Sequence, residues 1–202
     1  MLDDRDQRIR ALVRFVRNER RLREEAGLSQ ADAAFLAGIH RTEFSLLERH
    51  ERMPRVGTLI RIFGALDSDP WELLEGLAWE IDGRPGAPGA ADRPTMADRR
   101  RRQAVPDPMG RFGLLLTRRR LLAGLRQEEV GWMLGMHRPE VSLIERGGRQ
   151  PRLDVLLRLA AAVEAAPADL LAGIHWIPGD MITGGHYTSS ASHPSLPGAG
   201  VG

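Results

Sequence analysis

The sequence contains no cysteine and no lysine. Without cysteine there is no disulfide scaffold, no thiolate zinc site and no cysteine nucleophile. Aromatic residues make up only 5% of the chain, and no alternating β-branched run marks a strand. No apolar stretch approaches the roughly 18 residues of a membrane span, and the amino terminus is charged from Asp3 onward, unlike a secretory leader. These absences predict a cytoplasmic protein with no membrane partner. HExxH, the Gly-Lys-Ser/Thr phosphate loop, GxGxxG and GxSxG are also missing. The six histidines do not gather three or four ligands at zinc spacing. No enzymatic reaction, metal or cofactor is expected.

All 29 basic residues are therefore arginine, against 27 acidic ones. With the load of Ala, Gly and Pro, this suggests a GC-rich, bacterial genome. Arginine is also the side chain whose planar fork matches phosphate and guanine. The formal charge is −1 over residues 1–79, +1 over 80–110 and +2 over 111–202. A wholesale polyanion binder would be far more basic, so any nucleic-acid function must rest on individually placed arginines.

A length of 202 residues accommodates one ordinary domain or two small ones. The chain repeats itself once: a shift of 97 residues superimposes Leu28–Trp79 on Leu125–Trp176 without a gap. The identical pairs include Gln30/Gln127, Gly38/Gly135, His40/His137, Arg41/Arg138, Glu43/Glu140, Ser45/Ser142, Glu48/Glu145, Arg52/Arg149, Pro54/Pro151, Arg55/Arg152 and Trp79/Trp176. Arg23/Arg120 and Gly27/Gly124 extend the match upstream. The expected organisation is a first domain over 8–79, a Gly/Pro/Arg-rich linker over 80–110 that includes Arg99 to Arg102, a second domain over 111–177, and a disordered tail over 178–202, where hardly any apolar residue is available to build a core.

Each copy reads as five short helices. In copy two, Leu114, Leu115, Leu121 and Leu122 fit one apolar face of a first helix that ends at Gly124. A second runs from near Gln127 through Val130, Met133 and Leu134 to Gly135. A third starts after His137, with Pro139 in its first turn and Val141 and Ile144 buried. A fourth spans about Leu153 to Ala165, and Pro167 opens a fifth carrying Leu170 and Leu171.

Two helices joined through a glycine-centred turn form a helix-turn-helix. Leu28-Ser29-Gln30, Gly38-Ile39, Phe44-Ser45, Leu47-Glu48-Arg49 and Arg52-Met53-Pro54, with their counterparts Gln127, Gly135-Met136, Val141-Ser142, Ile144-Glu145-Arg146-Gly147 and Gln150-Pro151, resemble the Cro/CI-like (XRE) family of DNA-binding domains. The resemblance implies an all-α fold: two lambda-repressor-like five-helix domains joined by a flexible linker. It further implies a sequence-specific regulator of transcription whose partner is double-stranded DNA, with a homodimer or another protein partner as an additional prospect. His40 and His137 stand where the family usually has a Ser or Thr cap, and His50-Glu51 replaces its small turn.

By that resemblance, base edges in the major groove face Arg41, Thr42 and Leu46 in copy one, and Arg138, Pro139 and Leu143 in copy two. Gln30, Arg52, Arg55, Gln127, Arg149 and Arg152 fall at phosphate-contacting positions. Arg23 with Glu48, and Arg120 with Glu145, occupy the positions of a structural ion pair tying the first helix to the third. Glu43 and Glu140 are candidates either for cytosine recognition or for helix-dipole partners. A flexible linker of about 31 residues reaches about 30 Å, close to one turn of DNA. The competing reading is a protein-docking module, with Leu46, Leu143, Trp79 and Trp176 as its contact surface.

Overall fold

The computed structural model describes residues 3–81, 84–85, 102–104, 107–179 and 185–190. Copy one comprises α1 (Asp4–Glu25), α2 (Gln30–Leu36), α3 (Arg41–Glu48), α4 (Val56–Ala65) and α5 (Pro70–Leu73). Two short strands follow, β1 (Glu80–Ile81) and β2 (Arg84–Pro85), and β3 (Arg102–Ala104) precedes copy two. Copy two comprises α6 (Pro108–Leu122), α7 (Gln127–Leu134), α8 (Arg138–Glu145), α9 (Leu153–Ala162) and a 3-10 turn over Pro167–Leu171. It ends in β4 (Ile174–Ile177) and β5 (His186–Ser190).

The helix boundaries follow local chemistry. Ser29 and Asp32 form a reciprocal capping box that opens α2, and Asp107 accepts from the Met109 amide at the start of α6. In α4 the buried positions Val56, Leu59, Ile60 and Phe63 follow the spacing of one helical face, as do Leu153, Leu156, Leu157 and Ala160 in α9.

The apolar face expected for the first helix of copy two is rotated. Leu114, Leu121 and Leu122 are each more than 60% exposed, and the buried stripe is Met109, Phe112, Gly113, Leu116 and Arg120. Glycine and arginine break the apolar pattern there because the backbone of Gly113 touches α8 and Arg120 pairs with a buried carboxylate. A Cβ on Gly113 would stand 2.1 Å from the Glu145 carbonyl oxygen.

The two copies pack directly on each other rather than being held only by the linker. Arg55 and Arg152 form an antiparallel bridge. The Val56 amide donates to the Pro151 carbonyl and the Leu153 amide donates to the Pro54 carbonyl, both at 2.9 Å. The 97-residue shift exchanges these two bonds, so a local two-fold axis passes between Arg55 and Arg152. The same symmetry sets α5 against the 3-10 turn, α4 against β4 and α9 against β1. Buried apolar residues of both copies consequently form one continuous cluster. A core of about 65 residues is marginal on its own; pairing enlarges it.

The strands are a feature for which the residue pattern gave no signal. Within the stretch read as tail, His186–Ser190 pairs antiparallel with Ile174–Ile177, and β3 adds on its other side to give the order β3-β5-β4. The rest of that stretch beyond 190, and Arg99 to Arg101 of the linker, lie outside the described residues.

Candidate nucleic-acid interface

The third helix of each copy begins at the arginine that the repeat shares. Arg41 is exposed at the first residue of α3, and His40 caps that helix by accepting from the Thr42 amide at 3.2 Å. Arg138 is exposed at the first residue of α8, with its Nε 2.9 Å from Glu128. Both members of that pair are open to water, where such a contact contributes at most about 1 kcal/mol and yields readily to a stronger partner. Thr42 and Pro139 are exposed beside these arginines; Leu143 is 40% exposed and Leu46 is partly covered.

Behind the third helix of each copy lies a polar triad centred on a buried glutamate. Arg23 Nε donates to Glu48 Oε1 at 2.8 Å, and Gln30 Nε2 donates to Glu48 Oε2 at 2.8 Å. In copy two, Arg120 holds Glu145 through Nε at 2.6 Å and Nη2 at 3.1 Å, and Gln127 donates to Glu145 at 2.7 Å. Arg23 and Arg120 also donate to the carbonyls of Leu28 and Leu125 at 2.8 Å, in the loops leading to α2 and α7. The triad thus locks the first, second and third helices together. Gln30 and Gln127, taken from the sequence as phosphate contacts, spend one amide hydrogen inside the protein.

Exposed arginines surround α3 and α8: Arg49, Arg52 and Arg55 in copy one, Arg146, Arg149 and Arg152 in copy two. Arg52 lies 3.7 Å from Glu43, and Arg149 donates to Glu140. The Arg149 hydrogen bond, followed by that from the His137 amide, holds the Glu140 carboxyl below its usual range. Glu140 therefore works as a helix-start acceptor and an arginine partner. Glu51, unfavourable beside a phosphate, is engaged by Arg49 at 3.0 Å. Arg55 donates to the Gln150 carbonyl across the two-fold axis at 3.2 Å, so Arg55 and Arg152 sit at the centre of the paired structure. Trp79 and Trp176 are buried, at 3% and 6% exposure. They pack inside the molecule and form no part of an outer docking surface.

A helix-turn-helix domain model matches residues 111–172, and a second helix-turn-helix model matches residues 20–72. The chain carries two helix-turn-helix domains in tandem. The arrangement is consistent with a Cro/CI-like protein, and domains of this type imply binding to double-stranded DNA. No curated protein and no solved structure gives a significant match. Among the described residues, no helix is long and apolar enough to cross a membrane.

Arg61 and Arg158 are not among the residues that the family resemblance marks for DNA contact. Arg61 donates to the Gly38 carbonyl at 3.3 Å, and Arg158 donates to the Leu134 carbonyl. Each therefore contacts the turn or the helix end just before α3 or α8. They are identical under the 97-residue shift, which was the available signal.

Proposed function

We propose that this tandem helix-turn-helix protein is a transcriptional regulator that reads one inverted, two-part DNA site with a single chain. The observation that carries the proposal is the two-fold relation at Arg55 and Arg152, which makes α3 and α8 symmetry mates with Arg41 and Arg138 at their exposed starts. Reading helices related by such an axis meet half-sites of opposite orientation. Arg41 and Arg138 donate to guanine O6 and N7. Thr42, Leu46, Pro139 and Leu143 contact the flanking bases, and thymine methyls suit the two leucines. Gln30, Arg52, Arg55, Gln127, Arg149 and Arg152 engage phosphates and set the register. Arg52 and Arg149 exchange Glu43 and Glu140 for phosphate on binding. No reaction is assigned to the chain.

Arg138→Ala tests the base-reading role. The variant should lose roughly tenfold or more in affinity for the preferred site, the equivalent of one bidentate base contact, while weak nonspecific binding is kept. Replacing each phosphate arginine should reduce the slope of log affinity against log salt by about one. Fluorescence polarisation against selected and scrambled duplexes at two salt concentrations measures both. Unchanged discrimination in Arg138→Ala contradicts the assignment.

The docking alternative is favoured by a different observation. Leu114, Leu121, Leu122 and Trp132 are exposed in copy two, where copy one has Arg17, Glu24, Glu25 and Phe35. Failure of the full chain to bind any duplex in the same titration favours that alternative.

A further inference from the structure

Each reading helix is buttressed by the tryptophan of the opposite copy. Trp176 closes copy two in sequence, yet its indole N–H donates to the carbonyl of Leu36 at the end of α2 in copy one, at 2.8 Å. Its ring lies 5.2 Å from the Arg61 guanidinium of copy one, which reaches the Gly38 carbonyl in the α2–α3 turn. Tyr187, from β5, fixes the same arginine by accepting from its Nε at 2.9 Å, and packs edge-on against Trp176 at 5.0 Å. Copy one makes room for this. A Cβ on Gly64 would lie 2.4 Å from the Trp176 carbonyl oxygen.

The mate of this arrangement faces the other way. Trp79, at the end of copy one, has the Arg158 guanidinium of copy two 5.9 Å from its ring centre, and Arg158 donates to the Leu134 carbonyl at the end of α7. The crossing follows from the two-fold axis, which sets β1 on α9 and β4 on α4. A guanidinium over an aromatic face gains from both stacking and charge, and here it is held while it anchors a turn.

We infer that the two halves of the DNA site are read as a coupled unit, because Trp176 positions the reading helix of copy one through Leu36 and Arg61, and Trp79 positions that of copy two through Arg158. This rests on the DNA-reading proposal for its function, but the positioning itself is measurable without DNA. The four side chains are positioning residues; none need touch a base.

The experiment uses the full chain carrying Trp176→Phe, which keeps the apolar ring and deletes the N–H donor, and separately Tyr187→Phe, which deletes only the acceptor for Arg61. Amide hydrogen exchange should quicken at Gly38 and Ile39 in copy one, roughly tenfold in Trp176→Phe and less in Tyr187→Phe, with Gly135 and Met136 of copy two unchanged. Discrimination at the half-site read by Arg41 should weaken by roughly tenfold, comparable to one base contact, while the half-site read by Arg138 keeps its preference. Trp79→Leu should produce the mirror result. Equal effects on both turns, or effects confined to the copy that bears the substitution, overturn the inference. If the wild-type chain binds no duplex, the DNA-reading proposal fails, while the exchange data still decide the positioning.

Discussion

The two repeats solve one packing problem in different ways. In copy two, glycine lets the first helix rest directly on the end of the third: Gly113 meets the Glu145 carbonyl, and Gly147, at φ 74°, meets the backbone of Gly110. Copy one has Val16 and His50 at those positions. Valine cannot approach as closely, and the intervening space is filled by polar side chains. Arg20 donates to the Glu48 carbonyl at 2.6 Å and lies 3.2 Å from the Glu48 carboxylate. Glu19 is fully buried where copy two has Leu116. His50 takes the left-handed backbone at φ 64° that glycine takes without cost in copy two. A single fold thus accommodates a close backbone contact and one filled by polar side chains, and the polar contact carries an excess carboxylate.

That carboxylate is unusual. Burial first, and then the charge of Glu48, push the Glu19 carboxyl up to about 8, against the opposing effect of Arg23 and Arg20. No N–H donor reaches its oxygens among the described residues, Arg23 is 3.7 Å away, and a side-chain hydrogen bond to Glu48 further favours the protonated form. Glu19 therefore keeps its proton at neutral pH.

The largest expected effect that would sharpen this contrast comes from removing the central carboxylates. Glu145→Ala should cost about 3 to 5 kcal/mol, since it leaves the Arg120 guanidinium buried without its carboxylate. Glu48→Ala should cost less by at least about 1 kcal/mol, because Glu19 is positioned to ionise and take over Arg23. Urea midpoints of the two variants compare them directly; equal losses would mean the repeats are energetically alike.

Next comes Gly113→Val, which installs in copy two the residue of copy one. The Glu145 carbonyl has nowhere to go, so a loss of about 3 kcal/mol is expected, read from thermal or urea unfolding. A neutral outcome would show that the α6–α8 contact yields easily.

Glu19 gives a pH signature. In the unfolded chain the carboxyl titrates near 4.5, whereas the folded chain holds the proton to about 8. Between these values the folded state carries the extra proton, so this stabilisation is complete below about 4.5 and drains as pH rises through 8. The slope approaches about 1.4 kcal/mol per pH unit inside that window. Glu19→Leu, the residue of copy two, should flatten the dependence and raise the urea midpoint most at pH 9. An unchanged profile would place the titration elsewhere.

The smallest effect concerns His50. His50→Gly should stabilise the chain by about 1 kcal/mol by removing left-handed strain, whereas Gly147→His should cost more, since a Cβ at Gly147 would stand 2.7 Å from the Gly110 nitrogen.

Much of this fold is legible in the residues. The 97-residue shift fixes the number of copies, and the fourth helix of copy two, read over about Leu153 to Ala165, is found at Leu153–Ala162. The Arg-Glu pairs came from the family resemblance, at positions the shift repeats. Other features were hidden for identifiable reasons. The buried face of α6 was misplaced because an apolar count cannot register a glycine buried by backbone contact or an arginine buried by its carboxylate. The pairing of the copies depends on backbone groups of Pro54, Val56, Pro151 and Leu153, whose side chains carry no such signal. The strand at His186–Ser190 is polar and depends on Trp176 and Arg61 to hold Tyr187. At the interface, the sequence placed Arg41 and Arg138 at helix starts but gave no hint that Gln30 and Gln127 also brace Glu48 and Glu145.

The most direct test of the central claim is a nuclease footprint on a selected duplex, combined with the mass of the complex in solution. One chain bound across two adjacent half-sites of opposite orientation, each with its Arg41- or Arg138-read guanine, is the predicted result. Two chains per site, half-sites in the same orientation, or protection of only one half-site by the full chain would contradict it.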